Sequence, residues 1–176
     1  MVRAWLVGAL MATIAYASSY EDTAAALEAL ASGTLEEQCH AAEFLGMSED
    51  AAAVQPLIAA LGDENAALRQ CAAMALGQLG APQAVPALVK ALGDRDRAVQ
   101  WFAAVSLAKI GNPAVKPLLE ALKGERDVAA GAALALGRMK EPTAVGPLID
   151  LLASPDLFLR QQAVEALVYI GQPAVV

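Results

Sequence analysis

The sequence is short of the residues that most enzyme chemistry needs. Of 176 residues, His40 is the sole histidine, and Cys39 and Cys71 are the two cysteines. No serine or cysteine has that histidine and an acid arranged around it as a nucleophilic triad requires. Cys39, His40, Glu43 and Cys71 form the one cluster of metal-ligand residue types, but no C-x-x-C or H-x-x-x-H spacing accompanies it, so no metal site is expected. Glycines occur singly, which excludes a phosphate-cradling loop. Glu43 and Glu165 lie too far apart in the chain to act as a carboxylate pair. No cofactor is expected, and the chain is not expected to be an enzyme.

Basic residues are scarce where they would matter for nucleic acid. Residues 1–64 hold ten acids against Arg3 alone, a net charge of -9, while residues 65–176 hold nine acids and eleven bases. A chain of net charge -7 without clustered Lys and Arg is not expected to bind a nucleic-acid backbone. Long apolar runs are also absent after the N-terminus. Trp5 to Tyr16 is the longest, too short to span a bilayer as a stable helix. Arg3 ahead of it and Ala15-Tyr16-Ala17 after it match a secretory signal peptide over residues 1–17. The alternative is an apolar helix that caps the remainder of the chain. Cleavage between Ala17 and Ser18 would make the protein secreted or periplasmic; without it the protein would be cytoplasmic.

What the sequence has in abundance is alanine and leucine, which outnumber valine and isoleucine and favour tightly packed helices over strands. In Leu68–Gly80, residues Leu68, Ala72, Ala75, Leu76 and Leu79 make one apolar stripe on a 3.6-residue period. Close relatives of that helix recur at Leu35–Gly46, Val99–Gly111, Val128–Met139 and Leu159–Gly171. A shorter element precedes each of the later ones: Ala53–Leu61, Ala84–Leu92, Ala114–Leu122 and Ala144–Leu152, with Ala26–Leu30 a degenerate first copy. Their leucines at 57, 88, 118 and 148 set a period of 30 to 31 residues. Gly-Asp, Gly-Glu or Pro-Asp turns join the halves, and Gly-x-Pro closes most units. Lys140 takes the place of that glycine once.

The pattern L-x-x-L-G-D, then V/L-R/Q-x-A-A-x-A-L-G, then G-x-P-x-A-V-x-P-L resembles HEAT repeats, most closely the short variety also found in phycobilisome bilin lyases. The resemblance implies an all-α solenoid of about five stacked helix pairs over residues 18–176, with the last repeat incomplete. It also implies a ladder between loop aspartates and second-helix arginines, kept by the spacing of Asp63 with Arg69 and Asp156 with Arg160. Gln100 and Ala129 interrupt that ladder in the middle copies. Such folds hold other proteins far more often than they catalyse.

Stacking turns equivalent second-helix positions into columns. Gln70, Trp101 and Gln161 share one, Cys71 and Phe102 another, and Met74, Val105, Leu134 and Glu165 a third. All lie off the core stripe, so these eight non-cysteine side chains are candidates to line a concave groove with an apolar middle and polar ends. A tryptophan there would be a binding hot spot. The alternative is that Trp101 and Phe102 tilt into the helix junctions and pack. Two neighbouring helices about 9 Å apart hold cysteines poorly for a disulfide, so Cys39 and Cys71 are expected as small packing residues, with pairing open in an oxidising compartment.

The expected function is a protein or peptide scaffold without enzymatic activity. A maturation factor of the bilin-lyase kind, presenting a chromophore or client, is the alternative. Pro173 to Val176 opens another first helix on the same register, so the apolar face of the last repeat awaits a continuing array, a partner or a second copy of the chain.

Overall fold

The structure is a computed structural model that describes residues 22–171. Among them are ten α-helices in chain order: α1 (Thr23–Ser32), α2 (Leu35–Met47), α3 (Val54–Ala60), α4 (Ala66–Leu79), α5 (Val85–Ala91), α6 (Arg97–Ile110), α7 (Asn112–Ala121), α8 (Arg126–Met139), α9 (Val145–Leu151) and α10 (Leu157–Gly171). The described residues contain no strand. Odd-numbered helices are the short first members of each pair and even-numbered helices the long second members. The five-repeat, all-α solenoid expected from the period is what is found. The proposed signal peptide at 1–17 and the segment 173–176 lie outside the described residues.

α4, α6 and α10 begin two residues before their apolar stripes, where the turn supplies a side-chain cap, and α8 begins at the same point after Glu125, whose side chain makes no cap bond. Asn65 accepts from the Ala67 amide, Asp96 from the Ala98 and Val99 amides, and Asp156 from the Phe158 and Leu159 amides. Thr34 and Glu37 form a reciprocal capping box at the start of α2. Those bonds to Thr34 hold the Glu37 carboxyl below the usual carboxylate range. Helix stops also follow the sequence. Gly80 closes α4 in the left-handed region at φ 61°. Lys140 closes α8 in the same way at φ 54°, so the geometry of the stop is retained where its glycine is not.

The short helices α3, α5 and α9 enter through a single 3-10 turn, Ala51–Ala53, Pro82–Ala84 and Pro142–Ala144 respectively. The α7 unit differs: it is continuous from Asn112, which leaves Pro117 inside the helix. Its ring nitrogen needs no carbonyl partner, and the residue four positions back is Pro113 in the first turn.

The core is a ribbon of alanine and leucine. Leu45, Leu57, Leu76, Leu88, Leu107, Leu118, Leu136 and Leu148 are fully buried. Successive second helices pack side by side in one continuous row, whereas the first helices touch one another sparsely.

Small residues bring the row together. A methyl group added at Gly46 would sit 2.8 Å from the Ala75 Cα, and one added at Gly137 would sit 2.8 Å from the Ala166 Cα. Gly77 meets Ser106 in the same way, and the buried Ser106 hydroxyl donates to the Ala73 carbonyl at 2.7 Å.

Cys39 of α2 and Cys71 of α4 form a disulfide, with their Cα atoms 5.4 Å apart. This corrects the expectation of poor geometry. A helix spacing near 9 Å is measured between axes, and Cα atoms on facing sides each stand about 2.3 Å inside that distance. Two facing cysteines therefore fall within the usual Cα range for a disulfide.

The ladder also departs from its expected wiring. Arg69 does not take the Asp63 carboxylate; its Nη1 donates to the Asp63 and Glu64 carbonyls at 2.8 and 3.0 Å. Its Nε and Nη2 make a bidentate pair with Asp94 of the next repeat, both at 2.8 Å. Arg160 likewise donates to the carbonyls of Ser154 and Pro155, while the Asp156 carboxylate is held by Arg126 at 2.7 Å. Both arginines bond their own loop through carbonyls, and Arg69 also reaches the next loop through a carboxylate.

Candidate binding groove

The candidate side chains are distributed along the row of second helices in three groups. Gln70 is half-buried, and its amide donates to the Asp96 carboxylate at 3.3 Å, which ties it to the next repeat. Met74 and Val105 are half-buried between helices. Gln161 and Glu165 are exposed on α10, beside Leu157, Arg160 and Val164 and apart from the others.

The aromatic pair splits between the two alternatives. Phe102 is half-buried and packs against the core, so its column leans into the helix junction. Trp101 keeps 47% of its surface exposed and meets Phe102 edge to face, centroids 5.0 Å apart and planes at 81°. That arrangement fixes the indole by its neighbour's ring while leaving one face open.

Trp101 and Leu134 line a common cleft of about 250 Å³ between α6, α8 and α10. Its floor is Ala130 and Gly131, the repeat in which the two columns have lost their side chains. Its far wall is Phe158 with Gln162, and Arg97 and Asp127 stand at its mouth. The Arg126 guanidinium lies 4.4 Å from the Phe158 ring centroid and that of Arg97 lies 5.7 Å away. Arg126 is itself anchored by Asp156 at 2.7 Å and Asp127 at 3.3 Å. The Arg126 hydrogen bond, against a smaller effect of burial, holds the Asp156 carboxyl below its ordinary range; amide bonds from Phe158 and Leu159 add to it.

Phe158, Arg97 and Asp127 are not among the residues that the sequence columns single out. All three belong to the first turn of a second helix, which the apolar stripe alone leaves in the preceding loop. The signal that places Arg97 and Phe158 is the cap: Asp96 and Asp156 each stand immediately before the turn in question.

A larger cavity of about 630 Å³ lies at the loop edge around Arg69 and Asp94. The buried charges there are satisfied by each other and by loop carbonyls, so it holds the repeats in register instead of presenting free groups. Among the described residues no set of three His, Cys, Asp or Glu is placed to hold a metal ion. No described helix is long and apolar enough to cross a membrane.

Comparison with known proteins fits this architecture. No curated protein sequence matches the chain. The complex of CpcE and CpcF of phycocyanin lyase from Nostoc sp. PCC7120 is similar in structure, with 29% identity and a TM-score of 0.63. That likeness covers 88% of this chain and 66% of the other, so the chain spans less than two thirds of that protein's length. An engineered protein is 26% identical over 82% of this chain and 77% of its own, at a TM-score of 0.51. A computationally designed armadillo repeat protein for modular peptide recognition shares the fold at 20% identity and a TM-score of 0.50, over 85% of this chain and 82% of its own. HEAT repeats match residues 23–95, 54–127 and 115–176 in overlapping stretches that take in every helix pair described above. The chain belongs to the HEAT-repeat family.

Proposed function

We propose that this protein is a non-enzymatic scaffold that grips a protein or peptide segment along its concave second-helix face, with Trp101 as the anchor. The observation that carries the reading is the indole itself: braced by Phe102, half exposed, and set at the lip of a cleft walled by Leu134 and Phe158. Aromatic anchors beside a small pocket are where interfaces concentrate their energy. The Gln162 amide and Arg97 at the rim supply donors for a bound backbone. Trp101→Ala should reduce capture of the partner from cell extract about tenfold or more while leaving the thermal midpoint unchanged. Equal capture by the variant would remove the groove from consideration.

The disulfide supports an exported protein, since such bonds persist in oxidising compartments. Sequencing the mature N-terminus tests this: Ser18 as first residue is expected, and an intact Met1 in protein taken from its native host would rule it out.

A second reading, a chromophore or client maturation factor, is favoured by the similarity to the phycocyanin lyase complex. It expects a tetrapyrrole to quench or shift Trp101 emission on titration. An unchanged spectrum would sink it.

A further inference from the structure

We propose that α6 and α8 bind an acidic segment of a partner protein. The segment places an apolar side chain in the Trp101 cleft and carboxylates against Arg97 at one end and Lys109 and Arg138 at the other. The inference rests on the groove reading and names the chemistry of what the groove would hold.

The charges of the second helices are sorted along the row. α2 carries Glu36, Glu37 and Glu43 and no lysine or arginine. The one cation of α4, Arg69, is buried and committed to Asp94. α6 carries Arg97 and Lys109 and no acid, and α8 carries Arg126 and Arg138 against Asp127 alone. The basic stretch therefore coincides with the two helices that hold Trp101 and Leu134.

Within those helices the cations bracket the apolar positions. Arg97, Trp101, Val105 and Lys109 follow at intervals of four on α6, one ridge of the helix surface. Arg126, Ala130, Leu134 and Arg138 are the same ridge of α8, whereas that of α4, Ala66, Gln70, Met74 and Gln78, has no charge. Arg97, Trp101, Lys109 and Arg138 are exposed, and Val105 and Leu134 are half-buried between them. Lys109 and Arg138 occupy equivalent positions of neighbouring helices, so they stand side by side beyond the apolar middle.

Three of these cations have no counter-charge among the described residues. Arg97 lies over the Phe158 ring and makes no ion pair, and Lys109 and Arg138 make none either. The acids nearby are engaged elsewhere. Asp96 caps α6 and accepts from Gln70 of α4, while Asp127 and Asp156 both sit on Arg126. Glu141 accepts from Thr143, and Glu125 makes no ion pair with either arginine. A ligand with carboxylates is what complements such a surface.

Size points to a peptide. The cleft of about 250 Å³ is smaller than the pockets of about 300 Å³ and upward that take whole small molecules, and suits one side chain. Arg97 and Lys109 are twelve residues apart on α6, about 18 Å along the axis. An extended chain covers that in about six residues, so an apolar residue with acids on either side reaches the cleft and both ends. A nucleic-acid backbone is the poorer fit, because a chain of net charge -7 repels a long polyanion as a whole.

Titration of the full chain with blocked peptides of about seven residues tests this, read by the NMR signal of the Trp101 indole N–H, which Trp101→Phe identifies by its loss. Each peptide has a central leucine among glycine and serine, with glutamate, glutamine or lysine at both ends. The glutamate peptide should bind at least about tenfold tighter than the glutamine peptide at low salt, and the gap should close as salt rises. A chain carrying both Lys109→Glu and Arg138→Glu should turn the preference toward the lysine peptide. Arg97→Gln, a milder change, should weaken the glutamate peptide and leave the glutamine peptide as it was. Equal binding of the glutamate and glutamine peptides would overturn the acidic preference and leave the groove standing. A Trp101 signal that no peptide moves would remove both. Tighter binding of an oligothymidylate of the same charge than of the glutamate peptide would overturn the proposal in favour of a nucleic-acid backbone.

Discussion

Arg69 is the buried charge among the described residues, and its side chain satisfies three loop groups at once. Its partner Asp94 illustrates how competing effects decide a titration. Burial pushes the Asp94 carboxyl up, but the hydrogen bond from Arg69, the Asp96 amide and the charges of Arg69 and Arg95 together hold it below the usual aspartate range. With the folded-state value below the unfolded one, the native protein binds fewer protons than the unfolded chain in the interval between them. The pair's contribution is complete above the ordinary aspartate range and disappears as pH falls through the depressed value. Asp94→Asn should cost about 3 kcal/mol near neutral pH, because it leaves a buried guanidinium without its counter-charge. The cost should shrink in acid, where the parent has lost the same charge. Urea melts of both proteins across the acid range measure this, and parallel stability curves would count against it.

At the scale of the element, the second helices are held at their spacing by what they lack. The Gly46, Gly77 and Gly137 column admits the backbone or the small side chain of the following helix. Gly137→Ala would set its methyl group against the Ala166 backbone, and we expect a loss of about 1–3 kcal/mol. Gly146→Ala, in the exposed turn of α9 with no atom within 4 Å of the added group, should instead stabilise by about 0.5–1 kcal/mol. Differential scanning calorimetry of the pair separates packing from helix propensity.

At the scale of the whole molecule, a solenoid is a line of nearest-neighbour contacts, and each interface contributes its own share of stability. The Cys39–Cys71 bond crosslinks one such interface covalently, across 32 residues of chain. For a loop of this length the chain-entropy account gives about 3–4 kcal/mol. Reduction should therefore loosen one end and leave the other as it was. Hydrogen exchange is expected to accelerate in α1 to α4 after reduction while α8 and α10 keep their protection. Uniform acceleration along the array would mean that the repeats unfold as one unit.

Periodicity made the fold legible: a leucine every 30 or 31 residues and an alanine-rich stripe in each copy leave little but stacked helix pairs. The stops at Gly80 and Lys140 and the caps at Asn65, Asp96 and Asp156 were also local matters of turn chemistry. The candidate groove was legible only by column. Trp101 and Leu134 could be named as neighbours because equivalent positions stack, but Phe158, Arg97 and Asp127 enter from first turns that an apolar stripe does not mark. The partner of each charge was decided by the tertiary structure. Arg69 stands six residues after Asp63 in the chain, yet the stacking of the repeats brings its guanidinium to Asp94 in the next loop. The cysteines were likewise brought together by helix approach, which depends on Gly46 and Ala75 and is absent from any spacing between residues 39 and 71. Sequence by itself determined the repeat and its register. Only the packing of one repeat on the next decided which faces are closed and left the indole of Trp101 open.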